Sequence, residues 1–260
     1  MEHERQRHCS STVKPIMCVD NLRKYACEFI GTFCLVFFAA GAVMVGSMTG
    51  QLGSIGFGLI SGLVITVLIY AFGHVSGAHV NPALSIAAVY LGKLEKRLLP
   101  GYVGAQMAGS AAGGLVLLAS VGQVADMGAN LPNSALGATP AVALAIEVFL
   151  SSLLMWVICG TAYHENADIA FAGLAIGATV GIEVMLMGGY AGAAMNPARA
   201  FGPYLARGDF THFWIYGLGP VAGMLAGAAV YRFTHASVLE VKGRQPAGGR
   251  AVAEREYRSP

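Results

Sequence analysis

The stretches "GHVSGAHVNPALS" (Gly73–Ser85) and "GYAGAAMNPARAFGP" (Gly189–Pro203) decide how this chain folds. Each carries Gly-Ala, two further residues and then Asn-Pro-Ala, and each lies against a long apolar run. Asn is a preferred helix N-cap, and Pro is favoured at the first helical position because its missing N–H would be an orphan there anyway. Asn81-Pro82 and Asn196-Pro197 therefore read as two helix starts. About ten residues of helix former follow each, enough to cross only half of a bilayer, whose full crossing takes about 20 residues.

The sequence around these motifs is apolar. Of 260 residues, 55% are hydrophobic and 12% charged, with 35 glycines and a mean hydropathy of +0.61. Soluble domains carry roughly 25% charged residues, so this chain has about half the usual complement. Six stretches are long enough to span: Tyr25–Val45, Ile55–Phe72, Pro100–Val121, Pro140–Thr161, Ile169–Gly188 and His212–Tyr231. The Gly109–Gly113 spacing suits close helix contact. Residues 1–21 are polar and mixed in charge, with no signal-peptide pattern, and read as a disordered tail, as does 236–260.

Basic residues orient the bundle. Five precede the first span, three lie in "GKLEKR" (Lys93, Lys96, Arg97) and six follow from Arg232, which leaves only Arg199 and Arg207 elsewhere. Six spans put both termini on one side, and the positive-inside rule makes that side cytoplasmic. "GKLEKR" joins them only if the chain between Phe72 and Lys93 enters the membrane and returns to the side it left. The first motif is then re-entrant. Topology accounts for the net charge of +2, which carries no argument for nucleic acid. Cys9, Cys18, Cys27, Cys34 and Cys159 show no CxxC spacing and read as free thiols, with no metal site or cofactor implied.

The chain also repeats itself. "EFIGTFCLVFFAAGA" from Glu28 matches "EVFLSSLLMWVICGTA" from Glu147, and each half runs span, span, Asn-Pro-Ala, span. Three spans per half is odd, so the second copy is inverted. The expected fold is all-α: six transmembrane helices plus two re-entrant half-helices in an inverted repeat, with repeat one over about 22–122 and repeat two over about 138–235. Inverted repeats place a working site near the midplane, at the N-termini of broken helices. The two Asn-Pro starts would meet there, presenting helix-dipole positive ends and amide donors.

These residues, with Arg199, "GYVGAQMAG" at Gly101 and "YGLGPVAG" at Tyr216, resemble the aquaporin or major intrinsic protein family across residues 22–235. The resemblance implies an hourglass fold, a homotetramer with one pore per subunit in the cell membrane, and passive flow of water or small uncharged solutes, with ions and protons excluded. It assigns Asn81, Pro82, Ala83, Asn196, Pro197 and Ala198 to the pore motifs. It places the narrow point at Ser61, Val184, Ala193 and Arg199. Strict water channels of the family carry Phe and His at the first two of these positions, so the constriction here should be wider and less polar. Val, Ala and Arg match the nodulin-26-like branch, whose members pass glycerol and undissociated metalloid acids. Ala200 replaces the Asp of the glycerol-facilitator pattern.

Carboxylates within apolar helices are costly. Glu28 and Glu147 read as acceptors for the N–H groups of the re-entrant loops, which lack regular backbone pairing. His74 and His79 read as loop hydrogen-bonders, and His164 as a solvated loop residue that could alternatively gate by protonation. Glu183 departs from the small residue common in the family, and its carboxylate could face either lumen or bundle. A strictly water-selective channel, a secondary transporter and a non-conducting scaffold stay open as alternatives. No nucleophile–base or metal constellation suggests an enzyme.

Overall fold

The computed structural model describes residues 13–243, with side chains from Val19 to His235. Cys9 and Cys18 lie outside the described side chains. Eight α-helices follow in order: α1 (Val13–Thr49), α2 (Gly53–Ser76), α3 (Pro82–Tyr90), α4 (Leu99–Val121), α5 (Pro140–Ile158), α6 (Ala172–Ala191), α7 (Pro197–Arg207) and α8 (Phe213–Gly243). Six of them are long and apolar enough to span a membrane, and α3 and α7 are not among these six. At 1.5 Å per residue, the nine residues of α3 and eleven of α7 reach only about half of a hydrocarbon core roughly 30 Å thick. No strand occurs among the described residues.

The ends differ from expectation. α1 begins at Val13 and α8 runs on to Gly243, so residues 13–21 and 236–243 are helical where tails were expected. Both extensions continue a helix already formed, which needs no new nucleus. The remainder of the expected tails, 1–12 and 244–260, lies outside the described residues.

Helix contacts reproduce the repeat. α1 packs on α4 as α5 packs on α8, α1 on α2 as α5 on α6, and α4 on α7 as α8 on α3. The halves are joined by α2 against α6 and α3 against α7, as well as by the α4–α7 and α3–α8 contacts. The α2–α6 crossing is close because glycine meets glycine. A Cβ on Gly62 would sit 2.5 Å from the Gly177 carbonyl oxygen and 3.1 Å from the Gly181 Cα. The Gly109–Gly113 pair likewise admits α1, since a Cβ on Gly113 would lie 3.0 Å from the Phe33 carbonyl oxygen. Outside the bundle, Ile55, Val67, Phe149, Leu186 and Phe233 are exposed, the apolar surface that lipid would cover.

The two ends of the bundle are distinct. Tyr25 meets Tyr102 near the start of α4, Lys93 donates to the Tyr163 carbonyl at 2.9 Å, and Arg232 lies over the Tyr90 ring. The start of α1, the loop after α3, the loop after α5 and the end of α8 thus share one end. α3 has entered and returned, as the charge pattern required. The opposite end holds Arg207, which pairs with Asp126 at 3.0 Å and Asp209 at 3.2 Å.

Candidate functional site

The two re-entrant loops are backbone copies of each other. Asn81 has φ −155° and ψ 115°, and Asn196 has φ −156° and ψ 112°. Before each Asn, the same two positions take left-handed angles: Ala78 and Val80 at 47° and 42°, Ala193 and Met195 at 47° and 50°. Such angles are uncommon outside glycine, and for the β-branched Val80 they are a genuine outlier. Gly77 and Gly192, at 87° and 99°, make the turn out of the preceding helix.

Hydrogen bonds hold this geometry. Each Asn side-chain oxygen accepts from the first turn of its own half-helix: Asn81 from the Ala83 and Leu84 N–H groups, Asn196 from those of Ala198 and Arg199. Such a cap contributes about 1 kcal/mol. The amide nitrogens then cross between halves. Asn81 Nδ2 donates to the Met195 carbonyl at 2.9 Å, and Asn196 Nδ2 to the Val80 carbonyl at 2.8 Å. One hydrogen of each NH2 is thereby used and one remains.

Glu28 and Glu147 accept loop N–H groups. Glu28 takes His79 N–H at 2.9 Å and Val80 N–H at 2.6 Å. Glu147 takes Ala194 N–H at 2.6 Å and Met195 N–H at 2.8 Å. The helix ends beside the loops are closed by a matched tyrosine pair. Tyr102 OH donates to the Ser76 carbonyl at 2.7 Å, and Tyr216 OH to the Ala191 carbonyl at 2.9 Å. Both tyrosines come from the repeated "GYVGAQMAG" and "YGLGPVAG" segments, and both are buried.

His74 does not support the loop. It is exposed and forms no hydrogen bond, because it faces outward on the last turn of α2. Loop support passes to Ser76, whose hydroxyl donates to Glu28 at 2.7 Å, and to His79, whose Nδ1 pairs with Ser85 Oγ at 3.1 Å. His164 accepts from Asn166 N–H and lies beside Tyr231 and His235 of α8, packed against a helix rather than simply solvated.

The capped starts open on a cavity of about 110 Å³. Asn81, Asn196 and all four expected filter residues, Ser61, Val184, Ala193 and Arg199, line it. Leu35, Ile65, Leu154, Ile158, Ile176 and Val180 make much of the remaining wall, so polar atoms are few and localised. Glu183, left open between lumen and bundle, is buried and does not line the cavity.

Arg199 is fixed by a segment that sequence reasoning missed. Between α4 and α5 the chain turns through left-handed Ala125, Asp126 and Met127, and Met127 is fully buried. Arg199 Nη1 donates from there to the Gly128 carbonyl at 2.8 Å and to Asn130 Oδ1 at 2.5 Å. Asn130 in turn donates to the Gly192 carbonyl at 2.6 Å and accepts from Tyr204 OH at its own carbonyl. Both Nη1 hydrogens are thus used, while Nη2 and Nε keep three between them. The only hint in "ADMGANLPN" is the presence of Asn and Gly in a loop between two spans, a pattern common to ordinary turns.

Residues 16–231 match the major intrinsic protein family. Aquaporin NIP1-1 of Zea mays is 39% identical over 231 residues, covering 87% of this chain and 80% of the relative. Nodulin-26 of Glycine max is 38% identical over 218 residues, covering 83% of this chain and 79% of the relative. Among solved structures, the aquaglyceroporin from Plasmodium falciparum superposes with a TM-score of 0.71 at 25% identity, covering 85% of this chain and 99% of that one.

Proposed function

The chain belongs to the major intrinsic protein family, and from that premise we infer that it is a passive channel for water and small uncharged solutes, not an enzyme. One observation carries the reading most directly. Two inverted half-helices bring Asn81, Asn196 and Arg199 to one cavity whose remaining wall is mostly apolar. A solute crossing it finds hydrogen-bond donors at the free amide hydrogens and at the guanidinium, and little else to bind. Weak, localised binding of this kind suits passage rather than retention.

The width of the narrow point sets the solute class. Ser61, Val184 and Ala193 are small, so the guanidinium bounds the opening and a carbon skeleton of glycerol size passes beside Val184. Glycerol, urea and undissociated metalloid acids such as arsenite or boric acid are the proposed solutes beside water. Support comes from the side chains at these positions and from the similarity to nodulin-26 and to a protein named an aquaglyceroporin. Cations meet the Arg199 charge and the positive ends of α3 and α7 without a compensating carboxylate in the lining. Protons are excluded on the same grounds. As the family resemblance implies, the channel is proposed to work as a homotetramer in the cell membrane; the basic residues gathered at one end of the bundle support cytoplasmic termini.

Stopped-flow light scattering on the reconstituted protein tests this proposal. Water, glycerol, urea and boric acid should all equilibrate faster than in protein-free vesicles, without saturation. Acceleration of water alone would indicate a strictly water-selective channel, no acceleration a non-conducting scaffold, and saturable, gradient-dependent uptake a transporter.

A further inference from the structure

Among the described residues that line the cavity, His79 and Tyr163 carry rings. Tyr163 belongs to the end of the bundle away from the loop that holds Arg199. It closes a π-helical turn, Cys159–Tyr163, in which the His164 N–H donates to the Cys159 carbonyl at 2.9 Å. On α5, Leu154 and Ile158 face the cavity one α-turn apart, and Ala162 follows them. The wider i→i+5 turn takes up one more residue, and Tyr163 comes round to the same face.

The ring is held from both sides of α3. Its hydroxyl meets His79 Nε2 at 3.4 Å, and His79 is itself fixed, by its N–H on Glu28 and by Nδ1 against Ser85 Oγ at 3.1 Å. From beyond α3, Lys93 donates to the Tyr163 carbonyl at 2.9 Å, with its ammonium 5.8 Å from the ring centroid. Neither ring has a counterpart in the repeat. Met44 stands as far after Glu28 as Tyr163 does after Glu147, but α1 runs on unbroken there and buries Met44 against Leu117 and Met127. Ala194 stands in the second loop where His79 stands in the first. Two departures from symmetry thus meet at one point of the lumen.

We propose that Tyr163, set against His79, is a second specificity-determining residue of the channel, at the opposite end of the cavity from Arg199. The inference rests on the passive-channel reading and divides its selectivity between two places. The Arg199 end sorts solutes by charge and hydrogen bonding past the small Ser61, Val184 and Ala193. The Tyr163 end sorts them by size, because a planar ring tethered at its carbonyl and its hydroxyl yields less than a free side chain would.

Stopped-flow light scattering on the full chain in proteoliposomes tests the ring by size. Tyr163→Ala should raise permeability to the larger polyol erythritol by about tenfold and to glycerol by about threefold, with water changed by less than about twofold. Tyr163→Phe keeps the ring and should stay within about twofold of wild type for all three. Proton leak in a pH-dye assay should match wild type in both, because Arg199 is untouched. If Tyr163→Ala does not fold, Ala162→Leu adds bulk to the same stretch of wall and should lower glycerol permeability by about threefold while water flow persists. Wild-type permeabilities in Tyr163→Ala, or in Ala162→Leu where that variant stands in, would overturn the inference and leave the channel reading intact. Equal effects of Ala and Phe, or a proton leak that rises with the solute flux, would do the same. Wild type and variants no faster than protein-free vesicles would overturn the channel reading as well.

Discussion

The two re-entrant loops share a backbone to within a few degrees, yet their side chains are spent differently. Around Glu28, two side-chain donors join the two loop N–H groups: Ser76 Oγ at 2.7 Å and Gln106 Nε2 at 2.7 Å. Around Glu147 only the two N–H groups remain. The repeat puts Ala191 where Ser76 stands, and Pro220 where Gln106 stands. At the third position after the motif Asn, the first half-helix has Leu84 and the second has Arg199. The first half is therefore the more firmly anchored scaffold. The second half supplies Val184, Ala193 and Arg199 to the lumen and relies on the α4–α5 loop to hold its charged residue. Symmetry fixes the backbone, and departures from symmetry fix what passes.

The largest expected effect follows from the unequal donor sets. Glu28→Gln replaces one oxygen that accepts from two donors, whereas Glu147→Gln replaces one that accepts from a single N–H. With each stranded buried donor costing about 1–3 kcal/mol, the first variant should lose roughly twice the stability of the second. Thermal unfolding in detergent, with the yield of folded protein, checks the ranking. Equal losses would mean that the side-chain donors around Glu28 contribute nothing.

Making the half-helices alike at the third position should matter next. Arg199→Leu copies Leu84 into the second half and removes the fixed positive charge at the filter. A unit charge about 4 Å away is worth on the order of 4 kcal/mol at an intermediate dielectric, so proton or cation leak should rise by up to about a thousandfold. A pH-dye liposome assay reads this. An unchanged leak would leave the half-helix dipoles as the whole barrier.

Asn130→Ala is a milder version of the same test. It removes one acceptor from Arg199 and one donor from the Gly192 carbonyl, each a bond of about 1–3 kcal/mol, while Gly128 still holds Nη1. Glycerol and water permeability should change by a few-fold at most, with the fold intact. A leak as large as that of Arg199→Leu would show that Asn130, rather than the guanidinium alone, sets the barrier.

Much of this was legible in the sequence, for physical reasons that particular residues show. Asn-Pro specifies a capped helix start almost locally, and charge counting around "GKLEKR" forces re-entry, so α3 and α7 were expected where they lie. Glu28 and Glu147 were readable as loop acceptors because a carboxylate inside a span needs donors. His74 was misread because adjacency in sequence does not say which side of a helix end faces the loop, and Ser76, two residues on, does. The Asn130 contact to Arg199 joins residues 69 apart through an irregular loop with no periodicity, so no local pattern encodes it. Glu183 was visible as an oddity, but its burial depends on the packing of α5 against α6.

The central claim is that a wide, largely apolar narrow point, set by Ser61 and Val184 opposite Arg199, makes this a broad neutral-solute channel. The ratio of glycerol to water permeability in proteoliposomes tests it, comparing wild type with the Ser61→Phe, Val184→His double variant at equal incorporation. Phe would fill the gap from the α2 side, and His would add bulk and a polar contact across from the guanidinium. Both substitutions act in the same direction, because selectivity here is pore diameter plus placed hydrogen-bond groups. The account predicts a high ratio in wild type that falls by at least about tenfold, on the order of 1.4 kcal/mol, in the double variant while water flow persists. A wild-type protein impermeable to glycerol, urea and boric acid alike would contradict it.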